Sequence, residues 1–252
     1  CTYCIIPYAR GPVRSRSLKG IKDEVAALAE NGFKEIVLTG IHLASYGRDT
    51  KEHTLLDVIR TVAETDGIER VRLGSVEPRI LTEEFVREIA KIDKMCNHFH
   101  ISLQSGCDET LKRMNRKYTT AEYAESVKLL RKYFDNPAIA TDIMVGFPGE
   151  TDAEFEVSLE FMKEINFADA HVFAYSNRKG TKADKFPNQV DKHTKEERSR
   201  KMSECVKELH DSYLRSYIGK TVSVLAERQI EDGVYEGHMT NYIKVHVKSN
   251  TD

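Results

Sequence analysis

Residues 138–151 read Ala138-Ile-Ala-Thr-Asp142-Ile-Met-Val145-Gly146-Phe147-Pro148-Gly149-Glu150-Thr151. A largely apolar run ends in a Gly-Phe-Pro-Gly turn, and Thr151 then stands three residues before Glu154. That spacing is a capping box, in which the threonine hydroxyl and the glutamate carboxylate satisfy each other's orphan backbone N–H groups. Behind it, Phe155, Leu159, Met162 and Ile165 recur at helical spacing. Strand, turn and capped helix therefore follow one another as a βα unit.

The same unit repeats in both directions. Downstream, Asp169–Ala174 reads as a strand, followed by an irregular stretch over 175–190 and a long helix around 195–217. Upstream, Thr119 and Glu122 form a second capping box, opening the helix that carries Val127 and Leu130. Before it, Phe99, Ile101 and Leu103 alternate in a strand that ends at Gln104-Ser105-Gly106. Val71 and Leu73 mark another strand, ending at Gly74-Ser75-Val76-Glu77-Pro78, with Phe85, Ile89 and Ile92 as the helix that follows. Glu35-Ile-Val-Leu-Thr39 is a short apolar run of the kind buried on both faces, ending at Gly40, and Leu55, Val58, Ile59 and Val62 make its helix. Ahead of it, Leu18, Ile21, Val25 and Leu28 form a helix stopped by Asn31-Gly32.

Five strands are visible, most followed by a helix. One more is expected ahead of residue 1, because the loop that opens the chain needs a strand to spring from. Repeated βα units specify an α/β fold whose parallel sheet curls into a full or partial barrel. Such folds gather functional residues at the C-terminal ends of their strands. Six unusual segments lie at such ends: the opening loop, Gly40-Ile-His42, Ser75-Val-Glu77, Gln104-Ser105-Gly106, Gly146-Phe147 and Tyr175-Ser176. From about Gly219 the pattern changes to short alternating runs separated by Asp232-Gly233 and Thr240-Asn241, which read as β-hairpins. The expected division is a barrel domain over 1–217 and a small, incomplete β-domain over 218–252.

The opening loop is Cys1-Thr-Tyr3-Cys4-Ile-Ile-Pro7-Tyr8-Ala-Arg10-Gly11-Pro12-Val-Arg14-Ser-Arg16-Ser17. Two thiols at this spacing can face one metal centre, and C-x-x-C serves zinc, iron–sulfur clusters and dithiol redox chemistry alike. A zinc site wants a second Cys/His pair, which is missing at ligand spacing downstream. Pro7, Gly11 and Pro12 are expected to keep the chain out of a helix until about Leu18, so a thioredoxin-like reading is disfavoured.

The 252 residues carry a net charge of −2, 31% charged and 40% hydrophobic residues, a composition ordinary for a soluble globular protein. No apolar run approaches a membrane span and no secretory signal is visible, although a chain beginning inside a motif does not report its own targeting. Its five cysteines are too unevenly spaced for a disulfide framework, so a reducing cytoplasm is expected. Cys96, Cys107 and Cys205 read as packing residues. Basic residues cluster at Arg10, Arg14 and Arg16 and again at Lys112, Arg113, Arg116 and Lys117. By themselves such runs read as solvated faces.

The opening loop resembles the cluster loop of the radical S-adenosylmethionine methylthiotransferases. Cys1 and Cys4 match the second and third cysteines of that family's C-x-x-x-C-x-aromatic-C pattern, and Tyr3 its aromatic. The first cysteine would lie four positions before residue 1. Further matching blocks are Leu38-Thr39-Gly40-Ile41-His42, His100-Ile-Ser-Leu-Gln104-Ser105-Gly106, Leu111-Lys-Arg-Met114-Asn-Arg116-Lys-Tyr118-Thr119 and Asp142-Ile-Met-Val-Gly146-Phe147-Pro148-Gly149-Glu150-Thr151. The final β-run resembles the start of the family's RNA-binding TRAM module. By this resemblance the chain is a fragment that lacks the N-terminal domain and the end of TRAM.

The resemblance implies a partial (β/α)6 radical-SAM barrel that holds a 4Fe–4S cluster and S-adenosylmethionine, with a second 4Fe–4S cluster in the N-terminal domain as sulfur source. Carried over by position, Cys1 and Cys4 ligate the cluster and Tyr3 packs near the adenine. Gly40 admits the methionine part, Glu77 and Gln104 contact ribose or methionine, and Asp142, Gly146 and Phe147 complete the nucleoside pocket. Each has a plainer structural alternative, and His42 and His100 read as structural. Arg14, Arg16, Lys112, Arg113, Arg116 and Lys117 become candidate tRNA phosphate contacts. A reducing partner such as flavodoxin or ferredoxin is implied, and no membrane.

The wording Pro7-Tyr8-Ala9-Arg10-Gly11, with Thr39-Gly40-Ile41-His42 and His171-Val172-Phe173, is most similar to the branch that methylthiolates C2 of N6-threonylcarbamoyladenosine beside the tRNA anticodon. Alternatives are the isopentenyladenosine branch, the branch acting on an aspartate of a ribosomal protein, and a non-catalytic RNA-binding protein with a degenerate cluster site. A zinc-stabilised α/β hydrolase is disfavoured, since no second ligand pair or nucleophile elbow is visible.

Overall fold

The computed structural model describes residues 1–249. Five parallel strands run in chain order: β1 (Glu35–Leu38), β2 (Arg70–Leu73), β3 (His98–His100), β4 (Ala138–Val145) and β5 (Asp169–Ala174). β1 pairs with β2, and β3, β4 and β5 form a continuous ladder. Parallel bridges from Val71 to Met95 and from Val76 to Ile101 carry β2 on to the β3 segment. The helices α1 (Ile6–Arg10), α2 (Leu18–Glu30), α3 (Leu55–Ala63), α4 (Glu83–Ile89), α5 (Asp108–Arg113), α6 (Thr120–Tyr133), α7 (Asp152–Ile165) and α8 (Lys192–Arg215) alternate with the strands or flank them.

Strand parity explains where the core sits, because successive side chains point to opposite faces. Ile36, Val71, Phe99, Ile139, Ile143 and Val145 join one buried cluster with helical stripes such as Val58, Ile59 and Val62 of α3 and Phe155, Met162 and Ile165 of α7. The alternate face carries the charged and imidazole side chains Glu35, Arg70, Arg72, His98, His100, Asp142 and His171, interspersed with Val37, Ala138, Ala140, Met144 and Phe173. Here the structure corrects the reading of Glu35-Ile-Val-Leu-Thr39 as buried on both faces: Val37 is 46% exposed.

Local signals hold where they are strongest. Thr119 with Glu122, and Thr151 with Glu154, form complete capping boxes, as does Thr54 with Asp57. The opening loop differs from expectation, since Ile6–Arg10 is helical despite Pro7. A proline in the first helical turn loses no intrahelical hydrogen bond, so Pro7 starts this turn, and Gly11, at φ 70°, ends it. Beyond β3 the ladder thins to single bridges, the last of them from Gln104, at φ 72°, to Ile143.

The C-terminal part is a three-stranded antiparallel sheet, β6 (Val224–Glu231), β7 (Val234–Met239) and β8 (Lys244–Lys248), in that order. Asp232 and Gly233 make the first turn, as the sequence indicates. The second turn extends past the Thr240-Asn241 break to Tyr242, at φ 70°. The sheet docks on the end of the barrel where the strands begin. Arg70 donates to the carbonyls of His238 (2.8 Å) and Ser223 (3.2 Å). Arg72, 2% exposed, donates to Glu35 (2.6 Å) and to the carbonyl of Thr240 (2.9 Å), with its guanidinium 4.7 Å from the Tyr242 ring centre. Tyr242 also stacks on His238 (4.6 Å) and tilts against His98 (5.2 Å).

Burial, reinforced by Arg72 and His100, depresses the His98 pKa from 6.5 to about 3. The folded chain therefore binds fewer protons than the unfolded chain between those values, and stability is lost as pH falls below 6.5. At pH 5 this amounts to about 2 kcal/mol. Urea unfolding of wild type at pH 7 and pH 5 is expected to show that loss, and His98→Phe to remove it. An unchanged acid limb in the variant would contradict the assignment.

Candidate active site at the barrel rim

The cysteine loop is pinned by Thr2, which is 9% exposed. Its amide donates to the Met114 carbonyl (3.0 Å), its hydroxyl to the Arg113 carbonyl (3.1 Å), and its carbonyl accepts from Ala183 N–H (2.9 Å). The flanking thiols of Cys1 (exposed) and Cys4 (half-buried) are free. Below them lies a second apolar cluster of Met114, Met144, Phe147, Tyr175 and Ala183, joined by Tyr3 and Phe186. Tyr3 meets Phe147 edge-on at 5.9 Å. Paired soft thiols in an anchored loop over a dry floor match the donor chemistry of an iron–sulfur centre, so these residues fit such a group.

Around the loop runs one connected polar network. The Tyr3 hydroxyl donates to Gln104 Oε1 (3.0 Å) and accepts from Arg116 (2.7 Å). Arg116 lies 3.6 Å from Glu77, whose other oxygen is 2.9 Å from His42 Nε2. Loops after β1, β2 and β3 are thereby tied to the cysteine loop. Burial raises the Tyr3 pKa, against the pull of Arg116, so the phenol keeps its proton. The positive φ of Gln104, a non-glycine residue, is held by its amide to Asp142 O and its carbonyl from Met144 N–H, both 2.9 Å.

Deeper on the concave face, His100, Asp142 and His171 converge, one from each of three neighbouring strands. Their ligand atoms all lie within 4.8 Å of one another. His100 Nε2 is 3.1 Å from Asp142 Oδ2, at an angle too oblique for a full hydrogen bond. The His100 and His171 rings stack at 5.8 Å. Burial alone would raise the Asp142 carboxyl, but His100, His171 and Arg116 outweigh it and hold it below the usual range. The trio can ligate a divalent cation or exchange hydrogen bonds with a polar substrate group.

The other sequence candidates are placed differently from one another. Phe147 is fully buried beneath the cysteine loop and does not face the open rim. Gly146, at φ 69°, backs onto Lys195, whose Cγ would be 2.4 Å from an added Cβ. Both amides, Gly146 (2.8 Å) and Phe147 (3.2 Å), donate to Glu150. Gly40 packs against Leu43, 3.3 Å from where a Cβ would stand. The basic run 112–117 divides: Lys112 and Lys117 are exposed, Arg113 is clamped by Glu154 (2.9 and 2.6 Å), and Arg116 turns inward. Arg14 is exposed, and Arg16 pairs with Glu24. His42, His100 and His171 join the rim and lumen, although the sequence reading leaves them structural or unassigned. Strand parity held the signal, since His100, Asp142 and His171 all fall on the face opposite the apolar set.

A family model described as the Radical SAM superfamily matches residues 1–162. The chain is 43% identical over 228 residues to a tRNA-2-methylthio-N(6)-dimethylallyladenosine synthase of Clostridium botulinum (strain Loch Maree / Type A3), covering 90% of this chain and 51% of that protein. It is 37% identical over 257 residues to the threonylcarbamoyladenosine tRNA methylthiotransferase MtaB of Bacillus subtilis (strain 168), covering 100% of this chain and 57% of that one. The chain thus spans about half the length of the curated relatives it matches. Among solved structures, the radical S-adenosylmethionine methyltransferase TsrM from Kitasatospora setae superposes with a TM-score of 0.60 at 18% identity, over 73% of this chain and 36% of that one. Methylornithine synthase (PylB) superposes at 0.57 and 14%, over 82% and 58%. At these identities the likeness concerns the fold.

Proposed function

We propose, from a chain that belongs to the radical SAM superfamily, that this protein replaces a C–H by a C–SCH₃ at C2 of N6-threonylcarbamoyladenosine beside the anticodon of a tRNA. Its cofactors are those of the superfamily, a 4Fe–4S cluster and S-adenosylmethionine. When bound, the cluster supplies the electron that cleaves S-adenosylmethionine to a 5′-deoxyadenosyl radical. Cys1 and Cys4 are its thiolate ligands. Thr2 holds their loop in place, and Tyr3, fixed by Gln104 and Arg116, closes one side against water. Glu77 and Gln104 offer polar atoms to the nucleoside part of the cofactor.

The observation that carries the substrate reading is the imidazole–carboxylate trio in the lumen. A threonylcarbamoyl group brings a carboxylate, a hydroxyl and urea N–H groups. The imidazoles of His100 and His171 can donate to the first, and ionised Asp142 can accept from the others. A dimethylallyl group would offer no hydrogen-bonding partner to half-buried His100 and Asp142 or to exposed His171, the less favourable match. The second reading, a dimethylallyladenosine substrate, is favoured by the 43% identity over 90% of the chain.

The part over 218–252, whose last three residues lie outside the described ones, is the TRAM-like RNA-binding part, the barrel 1–217 the catalytic part. Sulfur from a second 4Fe–4S cluster, electrons from flavodoxin or ferredoxin, and a cytoplasmic location complete the proposal. Among the described residues no helix is long and apolar enough to cross a membrane.

The test supplies tRNA bearing either threonylcarbamoyladenosine or dimethylallyladenosine to the anaerobically reconstituted protein and follows methylthiolated nucleosides by mass spectrometry. Product from the first alone is the expected result; product from the second alone establishes the rival; none from either rejects both. His171→Phe is expected to raise KM for the threonylcarbamoyl tRNA at least ~10-fold while leaving 5′-deoxyadenosine formation without tRNA unchanged.

A further inference from the structure

Outside the lumen, on the β1–β2 side of the rim, lies a cavity of about 660 Å³ that shares His42 and Glu77 with the network around the cysteine loop. Three cations line it: Arg48 from the loop after β1, Arg79 from the turn after β2, and Lys117 from the loop after α5. All three are exposed. Among the described residues none has a carboxylate within ion-pair distance, and Lys117 is held only by Asn115 Oδ1 at 2.7 Å. On the adjoining helices, by contrast, Arg60 is matched by Glu88 and Lys132 by Glu83.

Two carboxylates face the same space. Glu77 is already committed to His42 and Arg116, which leaves Glu84 against three cations. The lining also includes apolar and aromatic groups, Ile80, half-buried Tyr46 and half-buried Phe85. A cavity of this size whose lining combines surplus positive charge with aromatic and aliphatic groups suits one unpaired nucleotide, phosphate on the cations and base on the apolar groups.

We propose that this cavity receives the nucleotide next to the target adenosine in the anticodon loop, its phosphate held by Arg48, Arg79 and Lys117. The inference rests on the tRNA reading above and adds the residues that register the loop. With a single-stranded segment entering the rim, each removed cation lowers the number of counterions released, and the slope of log Kd against log salt falls by about 0.7.

The experiment measures binding of an anticodon stem–loop RNA to the whole protein by fluorescence anisotropy across a salt series, for wild type, Arg79→Ala, Arg48→Ala and Arg79→Lys. Thermal melting verifies that each variant is folded. Several-fold weaker binding and a shallower slope in the alanine variants, with Arg79→Lys near wild type, is the expected result. Wild-type affinity and slope in folded alanine variants would overturn the cavity assignment and leave the tRNA reading standing. A wild-type protein that binds no RNA would remove both.

Discussion

Cys4→Ala is expected to yield a folded protein that holds no iron–sulfur cluster and forms no 5′-deoxyadenosine. Cys4 is half-buried, and its thiol is free. Truncating such a side chain costs on the order of 0.5 kcal/mol or less. The loop is meanwhile kept in place by its neighbour Thr2, through contacts to Met114, Arg113 and Ala183 that the substitution does not touch. Loss of iron would therefore report loss of a ligand and not loss of the fold. Cys107→Ala is the control, since Cys107 is only 7% exposed and lies outside the opening loop. Iron and sulfide analysis after anaerobic reconstitution, followed by chromatographic assay of 5′-deoxyadenosine with dithionite and S-adenosylmethionine, separates the cases. Full iron content and product in Cys4→Ala would remove Cys4 from the centre.

The second large effect is expected far from the thiols, at Arg198 on α8. Its side chain is 7% exposed and reaches Glu150 Oε1 at 3.3 Å, the Glu150 carbonyl at 3.1 Å and Asp152 at 2.7 Å. Glu150, with a side chain 6% exposed, accepts from the amides of the Gly146-Phe147 turn that floors the cysteine loop. Removing one partner of a buried pair leaves an uncompensated charge, so Arg198→Ala should cost about 3–5 kcal/mol at neutral pH. That is a large share of a typical domain's stability.

The pH dependence gives this prediction its signature. Burial pushes the Glu150 carboxyl up, opposed by Arg198 and by the two backbone amides. A carboxyl raised in the folded state favours folding most below its unfolded value, about 4.3, and that contribution is lost as pH rises through the folded value. Without Arg198 the folded value rises further. The defect should therefore be largest at pH 7.5 and shrink toward pH 5 in urea unfolding, and Glu150→Gln should rescue part of it. A penalty independent of pH would show that Arg198 acts through packing on Phe155, whose ring lies 5.6 Å from its guanidinium.

Legibility followed the range of the interactions involved. β4 and β5 were readable to the residue, and the capping boxes of Thr119 and Thr151 formed as written, because each depends on groups within a few positions. The helix at Ile6–Arg10 was hidden by treating proline as a breaker irrespective of its place in the turn. The basic run 112–117 looked uniform, yet Arg113 meets Glu154, 41 residues on, while Lys117 stays in solvent. No local pattern distinguishes the two.

The amino-acid sequence by itself determined the order of βα units, the rim on which the loops converge and the Cys-x-x-Cys spacing of the opening loop. Hydrophobic parity, turn chemistry and capping act along the chain and need no partner elsewhere. Tertiary structure decided which polar groups meet. It brought His100, Asp142 and His171 together from three strands, tied Tyr3 to Gln104 and Arg116, and seated the C-terminal sheet on Arg70, 168 residues from His238. Those pairings depend on how the sheet curls and where the last strands dock, and a buried polar group finds its partner only after that geometry is set.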